Sequence, residues 1–130
     1  MDRINLDYET YSDVSLPDVG AHVYAAHPST EVLMCAYAFN RGPLQQWVPA
    51  EGEPIPRELE EALIDPEVEK WGWNTPFEMA ITDNLVCDVD LDQWFDTMVQ
   101  ALHCSLPGKL EKAGPVVGLP MEMQKDRRGK

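Results

Sequence analysis

Two acidic residues near the start of the chain, Asp7 and Glu9, are separated by one residue. The segment 4–10 alternates apolar and polar residues, which predicts a β-strand with both carboxylates on one face, about 7 Å apart. Like charges on a half-buried surface are costly unless a cation lies between them. Hard divalent ions such as Mg²⁺ or Mn²⁺ prefer oxygen ligands of this kind, and two of them can support displacement at a phosphodiester. The alternative is a solvated strand face with two ordinary surface acids.

A third acid, Glu78, follows a predicted strand within the segment 73–78. One interpretation is a capping box, with Thr75 as N-cap, Pro76 at the first helical position and Glu78 three residues after the cap. A carboxylate at the start of a helix that follows a strand also lies at the carboxyl edge of a sheet, where ligands gather in open α/β domains. The two interpretations are compatible.

The length and composition bound the kind of protein. A chain of 130 residues predicts one domain with a real core, and its net charge of −13 argues against nucleic-acid binding through a basic surface. Residues 1–124 carry 6 basic and 22 acidic groups, so a bound metal or a partner must offset repulsion of any polyanion. Three scattered cysteines and the absence of a long apolar run predict a cytoplasmic protein outside the membrane.

The order of predicted elements indicates an α/β layered domain with a mixed sheet. Strands are expected over 4–10, 31–39 and 44–48 as a three-stranded antiparallel meander, followed by strands over 68–73 and 94–97. Helices are expected from residue 56 to 64, from 75 to about 83, over 98–104 and over 110–117. Residues 12–20 are expected to be a loop, residues 21–26 a short extended segment, and residues 121–130 a basic, flexible tail after a domain spanning 1–120.

The order of several motifs resembles that of a known family. Leu-Asp-Tyr-Glu-Thr at residues 6–10 and Asn-x-x-Phe-Glu at 74–78 resemble the first two motifs of the DnaQ-like (RNase H-like) 3′→5′ exonucleases. The similarity is closer to the exonuclease domain of bacteriophage-type family A DNA polymerases, and it covers nearly the whole chain. Further segments match that group in order and spacing: residues 19–20, 24–29, 36–39, 95–98 and 106–114.

The resemblance implies a role for each matching residue. Asp7 would bridge two divalent ions, Mg²⁺ or Mn²⁺, and Glu9 would ligate one of them and help orient the attacking water. Glu78 would be the acid of the second motif, where the family usually has Asp. Asn74, Phe77 and Thr10 would support the site and contact the substrate. The implied reaction is proofreading hydrolysis of the 3′-terminal phosphodiester of single-stranded DNA, within a phage replication polymerase.

One family motif has no counterpart in this sequence. The third exonuclease motif is a Tyr or His followed four residues later by Asp, yet no Tyr follows Glu78, and His103 has Pro107 four positions on. The expectation is an RNase H-like fold whose C-terminal part is missing. A rival hypothesis is a catalytically inactive binding or assembly subunit that docks on a polymerase or replisome partner. An RNA-directed nuclease of the same fold is a third hypothesis.

Other acidic and aromatic patterns are interpreted as structural. Asp88, Asp90 and Asp92 alternate as at the start of a calcium loop, but the required Gly and closing Glu are absent. Asp96 in the fifth predicted strand is assigned a structural role. The four Trp residues mostly lie on predicted strands and are assigned to the core.

Overall fold

The computed structural model describes residues 3–120 and residue 123. Its strands are β1 (Arg3–Tyr11), β2 (Glu31–Phe39), β3 (Gln45–Trp47), β4 (Glu69–Gly72) and β5 (Trp94–Asp96). Its helices are α1 (Leu16–Ala26), α2 (Arg57–Ile64), α3 (Pro76–Ile81), α4 (Thr97–His103) and α5 (Leu110–Val116). A π-helical turn (Thr82–Val86) directly follows α3, and short 3₁₀ turns lie at Pro49–Glu51 and Leu91–Gln93.

Within the described part of the chain, the strands form one mixed sheet in the order β3-β2-β1-β4-β5. The β1–β2 and β2–β3 pairs are antiparallel, and the β1–β4 and β4–β5 pairs are parallel. This arrangement confirms the expected antiparallel meander followed by alternating helices and strands. Because β1, β4 and β5 run in the same direction, their carboxyl ends lie towards the same edge of the sheet, with β1 in the centre.

The two faces of β1 have different surroundings. Ile4, Leu6 and Tyr8 are buried in the main core, which also contains Leu59 of α2 and Ile81 of α3. The opposite face of β1 carries the exposed polar positions, including both acids of the Asp-x-Glu pattern. The alternation in the sequence therefore predicted correctly which side of the strand packs and which side faces the solvent.

Most expected elements are confirmed, often within one or two residues. The bounds of β2 coincide with the predicted strand, and α2 buries the predicted stripe of Leu59, Ala62 and Leu63 before ending at Asp65. Three of the four tryptophans follow the expectation as well, because Trp47, Trp71 and Trp94 lie in β3, β4 and β5.

The segment 12–26 differs from the expectation of a loop and a short extended stretch, which is wrong. Helix α1 begins at Leu16, with Pro17 in its first turn, and runs to Ala26. Gly20 adopts φ 82° and ψ 166° inside this helix and kinks it. Proline is well accommodated in the first turn of a helix because the amide hydrogen it lacks would have no partner there. A proline and a glycine three residues apart thus imitate a loop in the sequence.

The expected tail over residues 121–130 lies, apart from Met123, outside the described residues. No helix in the described part of the chain has the length and apolar character needed to cross a membrane.

Candidate active site

The parallel pairing of β1 and β4 places the start of α3 beside the acids of β1. Strand β4 pairs with β1 only as far as Asn5, which lies opposite Trp71. The chain leaves β4 at Gly72 and enters α3 at Pro76, whereas β1 continues through Asp7 and Glu9. The first turn of α3, which carries Glu78, therefore lies next to the second half of β1.

Asp7, Glu9 and Glu78 line one cleft of about 600 Å³. The sequence-predicted residue Phe77 lines it too, so four of the six predicted site residues are brought together. The rest of the lining is mostly apolar and comes from β1, from the residue after β4, from α5 and from the segment after α5: Tyr8, Trp73, Leu110, Gly114, Leu119 and Met123. The cleft thus combines three carboxylates with an apolar wall that these side chains and Phe77 form.

Glu78 is the buried member of the acidic group, with only 3% of its surface exposed. Its Oε2 atom is buried and has no hydrogen-bond partner among the described residues. Burial raises the pKa of Glu78 to about 8, although a hydrogen bond from its own backbone amide opposes this, and the negative charges of Asp7 and Asp96 raise it further. A buried carboxyl beside other carboxylates is a group that a cation would stabilise in its charged form.

Asp96 holds the turn between β4 and α3. Its carboxylate accepts hydrogen bonds from the backbone amides of Asn74 (2.8 Å) and Thr75 (3.1 Å), and it caps α4 through the amide of Met98 (2.9 Å). The expected capping box is wrong, because Thr75 makes no side-chain cap and itself has helical backbone angles. The structural role assigned to Asp96 is supported. Its partners Asn74 and Thr75 lie 22 and 21 residues away, so no local pattern reveals these two bonds.

Gly72 allows β4 and α3 to approach β1 closely. A Cβ atom at this position would lie 3.2 Å from the carbonyl oxygen of Leu6 and 3.2 Å from the Cγ2 atom of Thr75. It would also lie 3.8 Å from the Cγ atom of Glu78. A side chain here would press on the strand and on the helix that together carry the acids.

The two remaining predicted residues lie beside the cleft. Thr10 follows a bulge in the β1–β2 pairing, and its hydroxyl oxygen lies 2.8 Å from the hydroxyl oxygen of Tyr24. Asn74 has φ 64°, a conformation that asparagine tolerates better than most residues, and it lines an adjoining pocket with Lys109 and Glu111. Their proposed contacts with substrate stay predictions.

The carboxylates are not assembled as a finished metal cage. Across residues 3–120 and 123, no group of three or more His, Cys, Asp or Glu side chains is arranged to hold a metal ion. Asp90 in the alternating acidic segment accepts a hydrogen bond from the amide of Asp92, which fits the local structural interpretation of that segment.

The apolar wall of the cleft is the feature that the sequence did not reveal. Trp73 was assigned to the core, but it is only half-buried and lines the cleft. Leu110, from α5, lies on the same wall although 32 residues separate it from Glu78. Only the folding of α5 against this edge brings them together, and nothing in the local spacing signals it.

Comparison with curated proteins gives one informative relative. The chain is 34% identical, over 131 residues, to the DNA polymerase of Bacillus phage SP02. The similarity covers 100% of this chain but only 20% of the polymerase, so the chain spans about one fifth of the length of that relative. The resemblance to a phage-type DNA polymerase is confirmed. No protein-family model matches the chain.

Solved structures with a similar fold are nucleases. Brucella melitensis NrnC with bound Mg²⁺ superimposes with a TM-score of 0.64 and 12% identity, over 97% of this chain and 56% of that one. Escherichia coli RNase D, an exoribonuclease involved in structured RNA processing, gives a TM-score of 0.65 and 16% identity, over 97% of this chain and 29% of that one. These likenesses confirm the RNase H-like fold of the DnaQ-like exonucleases.

Proposed function

We propose that this chain is a metal-dependent 3′→5′ exonuclease domain that hydrolyses the 3′-terminal phosphodiester of single-stranded DNA and serves a phage-type DNA polymerase in proofreading. The observation that carries the proposal is the buried Glu78 carboxylate, which lines the same cleft as Asp7 and Glu9 and has an oxygen without a partner among the described residues. The similarity to a phage DNA polymerase supports DNA as the substrate, and the nuclease fold supports hydrolysis.

The donor set fits Mg²⁺ or Mn²⁺. Asp7, Glu9 and Glu78 offer carboxylate oxygens, the ligands that hard divalent ions prefer, and burial of Glu78 makes the uncompensated charge costly. In the proposal the carboxylates of Asp7, Glu9 and Glu78 would hold the ions. Bound ions would lower the pKa of a water molecule and neutralise charge that develops on the phosphate.

The protein's own side chains supply positioning. Glu9 is exposed on β1 and can orient a water molecule at the cleft. The apolar wall of Trp73, Phe77 and Leu110 suits the sugar and base of a terminal nucleotide rather than its phosphate. No Lys, Arg or His belongs to the described lining of the cleft, so the negative charge of a DNA strand has to be offset there by metal ions.

The proposed domain comprises residues 1–120. A third-motif acid is absent from the sequence after Glu78, so a further carboxylate from another polypeptide segment would complete the metal ligands. Such a segment would belong to the polymerase, on the same polypeptide or on a separate one.

Thermal unfolding in the presence of Mn²⁺ tests the proposal. An ion that binds only the folded state stabilises it by about 2.7 kcal/mol at a hundred times its Kd, so Tm should rise with Mn²⁺ concentration. Asp7→Asn should abolish the rise, whereas Asp88→Asn, which removes an exposed acid outside the cleft, should retain it. A wild-type protein whose Tm does not respond to millimolar Mn²⁺ would refute the metal site.

One observation favours the rival function of a docking subunit. An apolar groove of about 330 Å³ lies between α4 and α5 and includes Ala101, Leu106 and Val117. If the chain is a docking subunit, the wild type and Asp7→Asn should bind the polymerase partner equally well. The wild type should then release no nucleotide, with or without the partner. Metal-dependent cleavage lost in Asp7→Asn would exclude a purely docking role.

A further inference from the structure

Tyr8 and Thr82 link the strand that carries Asp7 and Glu9 to the helix that carries Glu78. Tyr8 is 4% exposed, and Thr82 is completely buried. The hydroxyl oxygen of Tyr8 lies 2.8 Å from Thr82 Oγ1, although 74 residues separate them in the sequence. Thr82 Oγ1 in turn donates a hydrogen bond of 2.7 Å to the carbonyl oxygen of Glu78. Two consecutive hydrogen bonds therefore run from β1 to the backbone of Glu78.

The direction of both hydrogen bonds follows from the number of protons. A threonine hydroxyl has one proton, and Thr82 gives it to the carbonyl of Glu78. The hydroxyl of Tyr8 must then be the donor in its contact with Thr82 Oγ1. Because all three groups are buried, water cannot replace a bond that is lost.

The link also coincides with a change in helix geometry. The carbonyl of Glu78 accepts a second hydrogen bond, from the backbone amide of Thr82, and α3 changes into the π-helical turn at this residue. A threonine that bonds back to the carbonyl four residues earlier bends a helix. The tilt of the turn that carries Glu78 is thereby tied to the position of Tyr8 on β1.

Tyr8 is placed between the two acids of β1, with its side chain on the opposite face. In its charged form Glu78 is repelled by Asp7, and its Oε2 atom has no hydrogen bond within the described part of the chain to hold it in place. We propose that Tyr8 and Thr82 are positioning residues, which set the separation of Glu78 from Asp7 and Glu9 and so the affinity for divalent metal. This inference rests on the proposed function.

Calorimetric titration with Mn²⁺ alone, at constant pH, tests the inference without requiring activity. Tyr8→Phe removes the donor hydroxyl, and Thr82→Val removes the second hydroxyl at nearly constant volume. Residues that orient metal ligands typically contribute 10–100-fold to affinity, so each variant should bind Mn²⁺ about tenfold more weakly. Thr82→Ser retains the hydroxyl and should restore affinity close to that of the wild type.

A matched control separates positioning from general stability. Tyr24→Phe removes the hydroxyl of another largely buried tyrosine, which lies 2.8 Å from the Thr10 hydroxyl and makes no bond to Glu78. This control should lose thermal stability as Tyr8→Phe does but bind Mn²⁺ as the wild type does. The double variant Tyr8→Phe/Thr82→Val should bind no more weakly than either single variant, because both changes break the same link.

The outcomes distinguish the inference from the function on which it rests. If the wild type binds Mn²⁺ and both Tyr8→Phe and Thr82→Val bind it equally well, the inference is overturned and the proposed function stands. If the wild type binds no Mn²⁺, the metal-dependent function and the inference both fall. If Tyr8→Phe does not fold, the comparison of Thr82→Val with Thr82→Ser decides, because weak binding by Val and wild-type binding by Ser supports the link.

Discussion

The carboxyl group of Glu78 combines deep burial with neighbours of its own charge. In most proteins such a group is neutralised by a proton, by a basic side chain or by a metal ion. No basic side chain in the described part of the chain forms an ion pair with it. A proton and a divalent cation are therefore alternative partners for this carboxylate. The pH dependence of the free energy of unfolding, measured without metal, shows whether a proton is bound.

Stability without metal should fall as the pH rises from about 5 to about 8. The pKa of Glu78 is about 8 in the folded protein and 4.5 as its ordinary value, so within this window the folded state binds a proton that the unfolded state has lost. The stability that this group contributes is fully present below the ordinary pKa and is lost as the pH passes the folded value. Urea unfolding in EDTA at several pH values measures it.

Glu78→Gln supplies the control for that titration, because an amide of similar shape has no proton to lose. The free energy of unfolding of this variant should vary much less between pH 5 and pH 8 than that of the wild type, each unit of pKa shift being worth about 1.4 kcal/mol. Identical slopes for the two proteins would show that Glu78 is already charged in the folded protein at pH 5.

Two contacts between elements fix the geometry of the cleft, and neither involves a cleft-lining acid directly. Asp96 accepts three backbone amides, and Gly72 lets the end of β4 lie against the carbonyl of Leu6. Each contact fixes β1 or the start of α3, the two elements that carry the acids of the cleft, to a neighbouring element. Measuring the free energy of unfolding of variants therefore tests both contacts.

Asp96→Ala should destabilise the protein by about 2 kcal/mol or more, because it leaves the amides of Asn74, Thr75 and Met98 without their charged acceptor. Asp90→Ala is the matched control, since Asp90 accepts a single exposed amide, and it should cost less than about 1 kcal/mol. Chemical denaturation gives both values. An equal loss of stability in Asp96→Ala and Asp90→Ala would contradict the central role of Asp96.

Gly72→Ala should destabilise the protein by about 1–3 kcal/mol, since the added methyl group meets the carbonyl oxygen of Leu6, a backbone atom that cannot rotate away. In Gly108→Ala the nearest atom, 3.3 Å away, is the end of the flexible Leu102 side chain, so its cost should be smaller. Mn²⁺ affinity should fall in Gly72→Ala as well. If Gly72→Ala is as stable as the wild type, the close approach is not a constraint.

The sequence predicts elements well where a pattern is local. Alternation identified β1 and its acidic face, and continuous apolar character identified β2. Two of the failures have long-range causes. The Thr75 capping box is replaced by Asp96, more than 20 residues away, and Trp73 lines the cleft together with Leu110 of α5, 37 positions further along the chain. Helix α1 was missed because Pro17 and Gly20 carry a loop signature inside a helix.

At the scale of the whole molecule, charge opposes the proposed substrate. The chain has a net charge of −13, so a DNA strand is repelled unless cations lie between the two. Binding of a labelled single strand with a nonhydrolysable 3′ linkage should therefore strengthen at least about tenfold, or 1.4 kcal/mol, when Mn²⁺ replaces EDTA. NaCl at matched ionic strength is the control, and an equal gain with NaCl would indicate general screening rather than a metal site.

The central claim is that Asp7, Glu9 and Glu78 form a metal-dependent exonuclease site. The most direct measurement is the release of the 3′-terminal nucleotide from labelled single-stranded DNA by the wild type and by Asp7→Ala, in Mn²⁺ or Mg²⁺, with the polymerase partner present. We expect the wild type to release the nucleotide, and we expect Asp7→Ala and EDTA each to abolish this release. Equal release by both proteins, or none by the wild type, would contradict it.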